Sequence, residues 1–180
     1  MKRRFVKDYA AAEGETKSFR YIGTYYVHRL EQTHRRKNGA FQLLAAVMEI
    51  MLLTGVCFFD SPGTYTPYVI LPMVCMFFPA VYYILGTWAF MHCEQQMERY
   101  AYEGSFGRMM RAVYGACVLN LLALCGDVFL IVRNVRTWKE YSEYILLTVL
   151  VLLAVINYTA VVYHRHLMKQ VWKEKNREQL

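Results

Sequence analysis

Four long apolar runs, separated by short polar segments, dominate the chain. They cover residues 41–59, 68–91, 112–132 and 144–163, with lengths of 19, 24, 21 and 20 residues. A helix needs about 20 residues to cross the ~30 Å hydrocarbon layer of a bilayer. A soluble helix would carry a regular polar stripe, and these runs do not. The pattern therefore predicts an all-α, polytopic membrane protein with four transmembrane helices.

The lengths of the polar segments predict how the four helices are connected. The chain divides into a basic N-terminal segment (1–40), a transmembrane domain (41–163) and a basic tail (164–180). Two connections are short, at residues 60–67 and 133–143, and the middle one, 92–111, is longer. We expect two helical hairpins that open toward the same side of the membrane, because short connections join antiparallel neighbours.

One hairpin resembles the other weakly in sequence. A shift of 71 residues aligns VMEIMLLTGVCF with VLNLLALCGDVF, with four identities in twelve positions. Apolar segments share a small alphabet of residues, so the match suggests a parallel internal repeat without requiring one.

The distribution of basic residues predicts the orientation. The 180 residues include 21 Lys and Arg against 14 Asp and Glu, for a formal net charge of +7. With both termini inside, 18 of the basic residues lie in inner segments and three in outer ones. The positive-inside rule then places both termini in the cytoplasm of a multi-pass cell-membrane protein. This bias and anionic headgroups account for the charge, so nothing in it indicates nucleic-acid binding.

The segment before the first run has a helical spacing of apolar residues. Phe19, Ile22, Tyr26 and Leu30 are separated by three, four and four positions. This predicts an amphipathic juxtamembrane helix that lies on the inner leaflet or packs on the middle connection. In the first case the basic side chains that bind lipid headgroups would be Arg20, Arg29, Arg35, Arg36 and Lys37.

The middle connection also has a helical composition. We expect it to continue the second transmembrane helix into the cytosol and to break near Gly104 or Gly107.

Few polar residues interrupt the apolar runs, and these are the candidate functional residues. Glu49 and Asp127 are the only acids within them, and Asn120 and Asn157 are amides. Asn120 and Asp127 share a helix face with small residues, which suits close helix packing. The alignment pairs Glu49 with Asn120, Asn157 could pair with Tyr82 or Tyr83, and water or Arg133 could satisfy Asp127.

Two interpretations of Glu49 remain open. In one, Glu49 hydrogen-bonds across helices and fixes their register. In the other, Glu49, Asn120 and Asp127 form a proton or cation path, because acids within the membrane often mark such paths. The absence of a glycine-broken half-helix at mid-depth favours the packing interpretation.

The second run carries Pro72, Pro79 and Gly86 at intervals of seven residues, which places them on one helix face. Each proline removes a backbone donor and bends the helix. This kinked-helix face could border a cavity or a partner helix.

The sequence offers little for catalysis or for metal binding. No cofactor-binding motif is present, and neighbouring His92 and Cys93 point about 100° apart on a helix, so they cannot act together. His164 and His166, two positions apart, also diverge, so we expect no metal site. A membrane thiol enzyme would need Cys93 and a histidine from another segment.

The sequence thus predicts a non-catalytic helical-bundle protein that acts by association, as an accessory or assembly subunit or as a homo-oligomer. Its expected partners are anionic inner-leaflet lipids and copies of itself or another membrane protein. A small proton- or cation-coupled transporter is the alternative, and a thiol enzyme is the third hypothesis.

Overall fold

A computed structural model describes residues 8–11, 19–28, 31–58, 60–134, 141–169 and 171–174. Its long helices are α1 (Gln32–Val56), α3 (Pro67–Cys75) followed by α4 (Phe77–His92), α5 (Arg99–Gly104) followed by α6 (Phe106–Asn134), and α7 (Tyr141–Met168). The short α2 (Pro62–Tyr65) joins α1 to α3. Four helical spans are long and apolar enough to cross a membrane, which confirms that part of the prediction.

The helices pack as a bundle in which each span has two neighbouring spans. Helix α1 contacts α4 and α7, and α6 contacts α3, α4 and α7. The buried core has two clusters, one centred on Phe90 and Phe106 and the other on Met76 and Leu150. Large apolar side chains such as Met51, Phe78 and Leu121 are instead exposed on the outside. Such a surface suits contact with lipid, because exposure of these apolar side chains to water would be unfavourable.

The second span is broken at Met76, between α3 and α4. Pro79 follows three residues later and has no N–H to donate to the carbonyl of Cys75. The helix resumes at once, with the N–H of Ala80 bonded to the carbonyl of Met76. The proline kink predicted from the sequence therefore appears as a one-residue interruption.

The structure is mostly helical, as predicted, and two small antiparallel sheets form outside the spans. Strand β1 (Tyr9–Ala11) pairs with β2 (Phe19–Tyr21). Strand β3 (Tyr25–His28) lies between β4 (Gln96–Met97) and β5 (Val171–Glu174). These three strands come from the N-terminal segment, the middle connection and the C-terminal tail. All three segments therefore meet at one end of the bundle, which we call the sheet end, and α2 lies at the opposite turn end.

The predicted amphipathic helix starting at Phe19 is wrong, because residues 19–28 form β2 and β3. Three spacings of three or four residues are too few to distinguish a helix from a strand. The aromatic and β-branched sequence Tyr25–His28 suits a strand. Pairing with β4 on one side and β5 on the other also provides hydrogen-bond partners for backbone N–H and C=O groups of this strand.

The helix predicted through the middle connection is wrong in its first part. Helix α4 ends at His92, and Cys93 is extended, with φ −67° and ψ 148°. Arg35 of α1 donates hydrogen bonds of 2.8 Å to the carbonyls of Cys93 and Glu94, which holds this backbone away from a helical path. The predicted break near Gly104 is present, because α5 ends there and α6 begins at Phe106.

Candidate functional site: intramembrane polar contacts

Glu49 pairs with an asparagine near the middle of the bundle. The Nδ2 group of Asn157 on α7 donates to Oε1 of Glu49 on α1 at 3.3 Å, and both side chains are buried. The sequence prediction that Glu49 reaches Asn120 is therefore wrong. The reason is helix order, since α1 has α4 and α7 as its neighbours, whereas Asn120 lies on α6.

A second polar contact joins α1 to α4. The hydroxyl of Tyr83 donates to Oε1 of Gln42 at 3.3 Å, and both side chains are buried. Asn157 bonds to Glu49, so its predicted contact with Tyr82 or Tyr83 is wrong. The sequence analysis missed Gln42, although its position two helical turns before Glu49 places both residues on one face of α1.

A small cavity separates these two contacts from α6. Glu49, Tyr83 and Asn157 line it together with small residues, including Ala112 and Ala116. Its volume is about 10 Å³, which is room for about one water molecule. Ala112 and Ala116 belong to the small-residue face predicted for the third span, and their size lets α6 approach Glu49 closely.

Asn120 is buried on α6 at the next position along that face. Neither its amide nitrogen nor its carbonyl oxygen has a hydrogen-bond partner among the residues that the structure describes. A buried polar group without a partner costs about 1–3 kcal/mol. This arrangement leaves Asn120 available for a water molecule or a ligand.

A carboxyl pair lies at the turn end of the bundle. Asp127 of α6 and Glu143 of α7 are fully buried, and the N–H of Gly63 donates to Oε2 of Glu143 at 3.1 Å. A side chain at Gly63 would begin 2.8 Å from Oε1 of Glu143 and 3.1 Å from Oδ1 of Asp127, so both carboxyls face the same point. Within the described part of the chain no basic residue forms an ion pair with either acid, and Arg133 is exposed.

Arg133 is exposed and forms no ion pair with Asp127 among the described residues, so the predicted contact between these two side chains is absent there. The sequence predicts Glu143 at the end of the polar connection 133–143, whereas the structure places it in the first turn of α7. No group of three or more His, Cys, Asp and Glu side chains that could hold a metal ion occurs in the described ranges.

The kinked-helix face packs against α6 inside the bundle. A side chain at Gly86 would begin 2.7 Å from Cγ of Met109, so glycine is required for this close approach. Farther along the same pair of helices, Pro79 lies opposite Gly115. Pro72, about two helical turns before Pro79 on α3, is half-buried. This face thus packs against α6 of the same chain, and Pro79 also lines the small cavity beside Glu49.

The basic residues predicted to bind headgroups differ in their surroundings. Arg35 is only 3% exposed and is bonded to backbone carbonyls, so its side chain is part of the protein interior. Arg36 and Lys37 are exposed at the sheet end. The side chains of Arg20 and Arg29 lie outside the described residues.

The sheet end also holds the half-buried Cys93 and two buried histidines. Burial raises the pKa of the Cys93 thiol, although Ser105 and Arg35 oppose this shift. An activated cysteine has a lowered pKa, and the shift of the Cys93 pKa runs in the opposite direction. His28 and His164 are fully buried on either side of the Phe106 ring, with centroid distances of 5.6 and 5.8 Å.

The chain matches no protein-family model, no curated protein and no solved structure.

Proposed function

We propose that this multi-pass membrane protein is non-catalytic and acts by helix association, as an accessory or assembly subunit or as a homo-oligomer in the cell membrane. The observation that carries the proposal is that polar side chains within the spans form hydrogen bonds between helices. Glu49 and Gln42 bond to side chains of neighbouring helices, and the cavity beside them has room for about one water. Polar groups arranged in this way hold helices in register.

The position of the basic residues supports cytoplasmic termini. Three strands of one sheet come from the three segments that together contain 18 of the 21 Lys and Arg residues. If those segments lie on one side of the membrane, the positive-inside rule makes that side the cytoplasm. The exposed Arg36 and Lys37 would then face anionic headgroups of the inner leaflet.

The packing role of Glu49 is tested with two substitutions. Glu49→Gln keeps an oxygen that can accept from Asn157, whereas Glu49→Leu leaves that amide without a partner. We expect Glu49→Gln to retain the melting temperature in detergent and Glu49→Leu to lower it. Met48→Leu, at the neighbouring lipid-facing position, is the matched control and should have little effect. Equal losses in Glu49→Gln and Glu49→Leu would contradict the packing role.

The association itself is tested by purification from native membranes in mild detergent. A stoichiometric oligomer or a stable complex with another membrane protein supports the proposal. A monomer at every protein concentration, with no co-purifying subunit, would contradict it. If the protein is non-catalytic, Cys93→Ser should leave the yield and the composition of this complex unchanged.

A proton- or cation-coupled transporter is the second candidate function. The observation that favours it is a group of buried polar atoms on α6, at Asn120 and Asp127, that accept or donate no hydrogen bond within the described ranges. In proteoliposomes a transporter would show pH-dependent flux that Glu49→Gln and Asp127→Asn abolish. No flux in the wild-type protein, above that of empty liposomes, would dispose of this candidate.

A further inference from the structure

The outer surface of the bundle carries a groove between α4 and α6. It is lined by Phe77, Phe78, Val81 and Tyr82 from α4, and by Arg111 and Ala112 from α6. Its volume is about 680 Å³, and its walls are apolar except at one end. Pro79 and Ala112 line both this groove and the small cavity beside Glu49, so they separate the two.

Two arginines stand at the polar end of the groove. The guanidinium of Arg108 lies over the ring of Tyr82, 5.1 Å from its centroid. Arg111 uses its Nε to donate to the carbonyl of Gly107 at 2.9 Å, which leaves its terminal nitrogens available. Both arginines lie in the first two turns of α6, at the sheet end of the bundle.

Neither arginine has a counter-charge in ion-pair contact within the part of the chain that the structure describes. The carboxylate of Glu103 contacts Arg99 at 3.2 Å, and neither Arg108 nor Arg111 forms a salt bridge with any described residue. The Nε of Arg108 is buried and has no hydrogen-bond partner among those residues. A cation next to hydrocarbon is costly unless an anion or water reaches it. The geometry thus leaves space for an anion at the head of an apolar channel.

We propose that this groove binds one acidic phospholipid. Its phosphate pairs with Arg108 and Arg111, because a guanidinium presents parallel N–H donors that match phosphate oxygens. One of its acyl chains lies along Phe77, Phe78 and Val81, which are apolar; Phe78 and Val81 are exposed, and Phe77 is half-buried. A second copy of this chain fits less well, because it would bring the same two cations to the site. The inference does not depend on the proposed function, since a transporter could bind the same lipid.

Melting temperatures of the delipidated protein in detergent test the proposal. The added ligands are phosphatidylglycerol, phosphatidylcholine with the same acyl chains, and inorganic phosphate. We expect phosphatidylglycerol to raise the melting temperature well above the other two, because it supplies both a net negative charge and a chain. The double variant Arg108→Gln, Arg111→Gln should lose this increment. Arg133→Gln, which removes an exposed arginine at the turn end, should keep it.

Three results would overturn the proposal. Equal stabilisation by phosphatidylglycerol and phosphatidylcholine would show that the arginines recognise no charge. Equal stabilisation by inorganic phosphate and phosphatidylglycerol would show a simple anion site. Retention of the full increment in the double variant would place the lipid elsewhere. Native mass spectrometry of the wild-type protein gives a readout independent of variant folding: one phosphatidylglycerol should remain bound where phosphatidylcholine dissociates, and equal retention would contradict the proposal.

Discussion

The neighbours of helix α1 determine the partners of its buried Gln42 and Glu49 side chains. The carboxyl of Glu49 accepts from Asn157, and Gln42 accepts from Tyr83, so α1 is tied to α7 and to α4. Interhelical hydrogen bonds in membranes contribute about 0.6 kcal/mol on average, and up to about 2 kcal/mol. Two such contacts therefore add little to the total free energy of unfolding, and their main effect is to fix the position of α1 relative to α4 and α7.

The sequence identifies these polar residues but not their partners. An acid or an amide in the middle of a 20-residue apolar run is easily recognised, as Glu49 and Asn157 are, whereas Gln42 lies at the very start of its run. The partner of such a residue depends on the order of helices around the bundle and on their relative heights. Neither is encoded in local spacing. An alignment between the hairpins therefore pairs Glu49 with Asn120, whereas its partner in the bundle is Asn157.

The facing carboxyls at the turn end give the first prediction. Asp127→Asn supplies an amide N–H that can donate to Glu143, whereas two facing carboxyls form a hydrogen bond with each other only when one of them holds a proton. We expect Asp127→Asn to retain the melting temperature of the wild type. Asp127→Leu, which offers no donor, should lower it by the equivalent of about 1–3 kcal/mol, because a buried carboxyl is left without its partner. A loss in Asp127→Asn as large as that in Asp127→Leu would contradict a hydrogen bond between the two side chains.

The buried His28 gives a pH-dependent prediction. Burial lowers its pKa to about 4 from 6.5, and the charge of Arg35 adds to this shift. The unfolded chain therefore binds a proton below pH 6.5 that the folded protein does not accept until pH approaches 4. The contribution of neutral His28 to stability is present above pH 6.5 and is lost as the pH falls from 6.5 toward 4.

The test compares melting curves at several pH values between 7 and 4. His28→Phe keeps an aromatic ring next to Phe106 but cannot be protonated, so its melting temperature should fall less than that of the wild type. His34→Gln, at an exposed position of α1, should follow the wild type. Parallel curves for the wild type and His28→Phe would contradict the assignment.

At the scale of elements, long periodic signals predict well and short ones do not. The four spans were predicted because about 20 apolar residues in a row have no other common explanation. Several of their ends extend past the apolar runs: α1, for example, begins at Gln32 rather than at residue 41, because polar residues outside the hydrocarbon continue the helix. Strands of two to four residues, such as β4, depend on partners far away in the sequence.

The close contact between α4 and α6 gives a prediction about glycine. Gly86→Ala would place a methyl group 2.7 Å from Cγ and 3.0 Å from the backbone nitrogen of Met109. We expect destabilisation of about 1–3 kcal/mol, as for overpacked cores. Gly55→Ala is the matched control, because nothing lies within 4 Å of the added carbon on α1. There the gain in helix propensity should be neutral or stabilising, by up to about 1 kcal/mol.

At the scale of the whole molecule, the three-stranded sheet closes the sheet end of the bundle. Residues in β3 pair with both β4 and β5, so a segment before the first span is hydrogen-bonded to segments after the second and fourth. Below it, Arg35 fixes the backbone where α4 leaves the bundle. The sheet therefore constrains the ends of three helices at once, which hydropathy alone could not reveal.

A disulfide tests the pairing of the N-terminal and C-terminal strands. Val27 and Trp172 are register partners in β3 and β5, and antiparallel partners have Cα atoms about 4.5–5.5 Å apart, within disulfide range. In a background without the five native cysteines, Val27→Cys with Trp172→Cys should oxidise readily and shift in non-reducing electrophoresis. Val27→Cys with Val171→Cys, one residue out of register, should oxidise much less. Equal yields would mean that the strands do not hold this register.

The proposed orientation gives the last prediction, because the sheet end and the turn end must face opposite sides of the membrane. In the same cysteine-free background, Tyr65→Cys marks the turn end and Gln96→Cys the sheet end; both positions are exposed. In intact cells a membrane-impermeant maleimide should label Tyr65→Cys at once. It should label Gln96→Cys only after permeabilisation, because 18 of the basic residues hold that end in the cytoplasm. The reverse pattern would invert the topology while leaving the bundle intact. Labelling of both positions in intact cells would mean that α2 and the sheet are not separated by a bilayer, which contradicts the membrane-spanning arrangement itself.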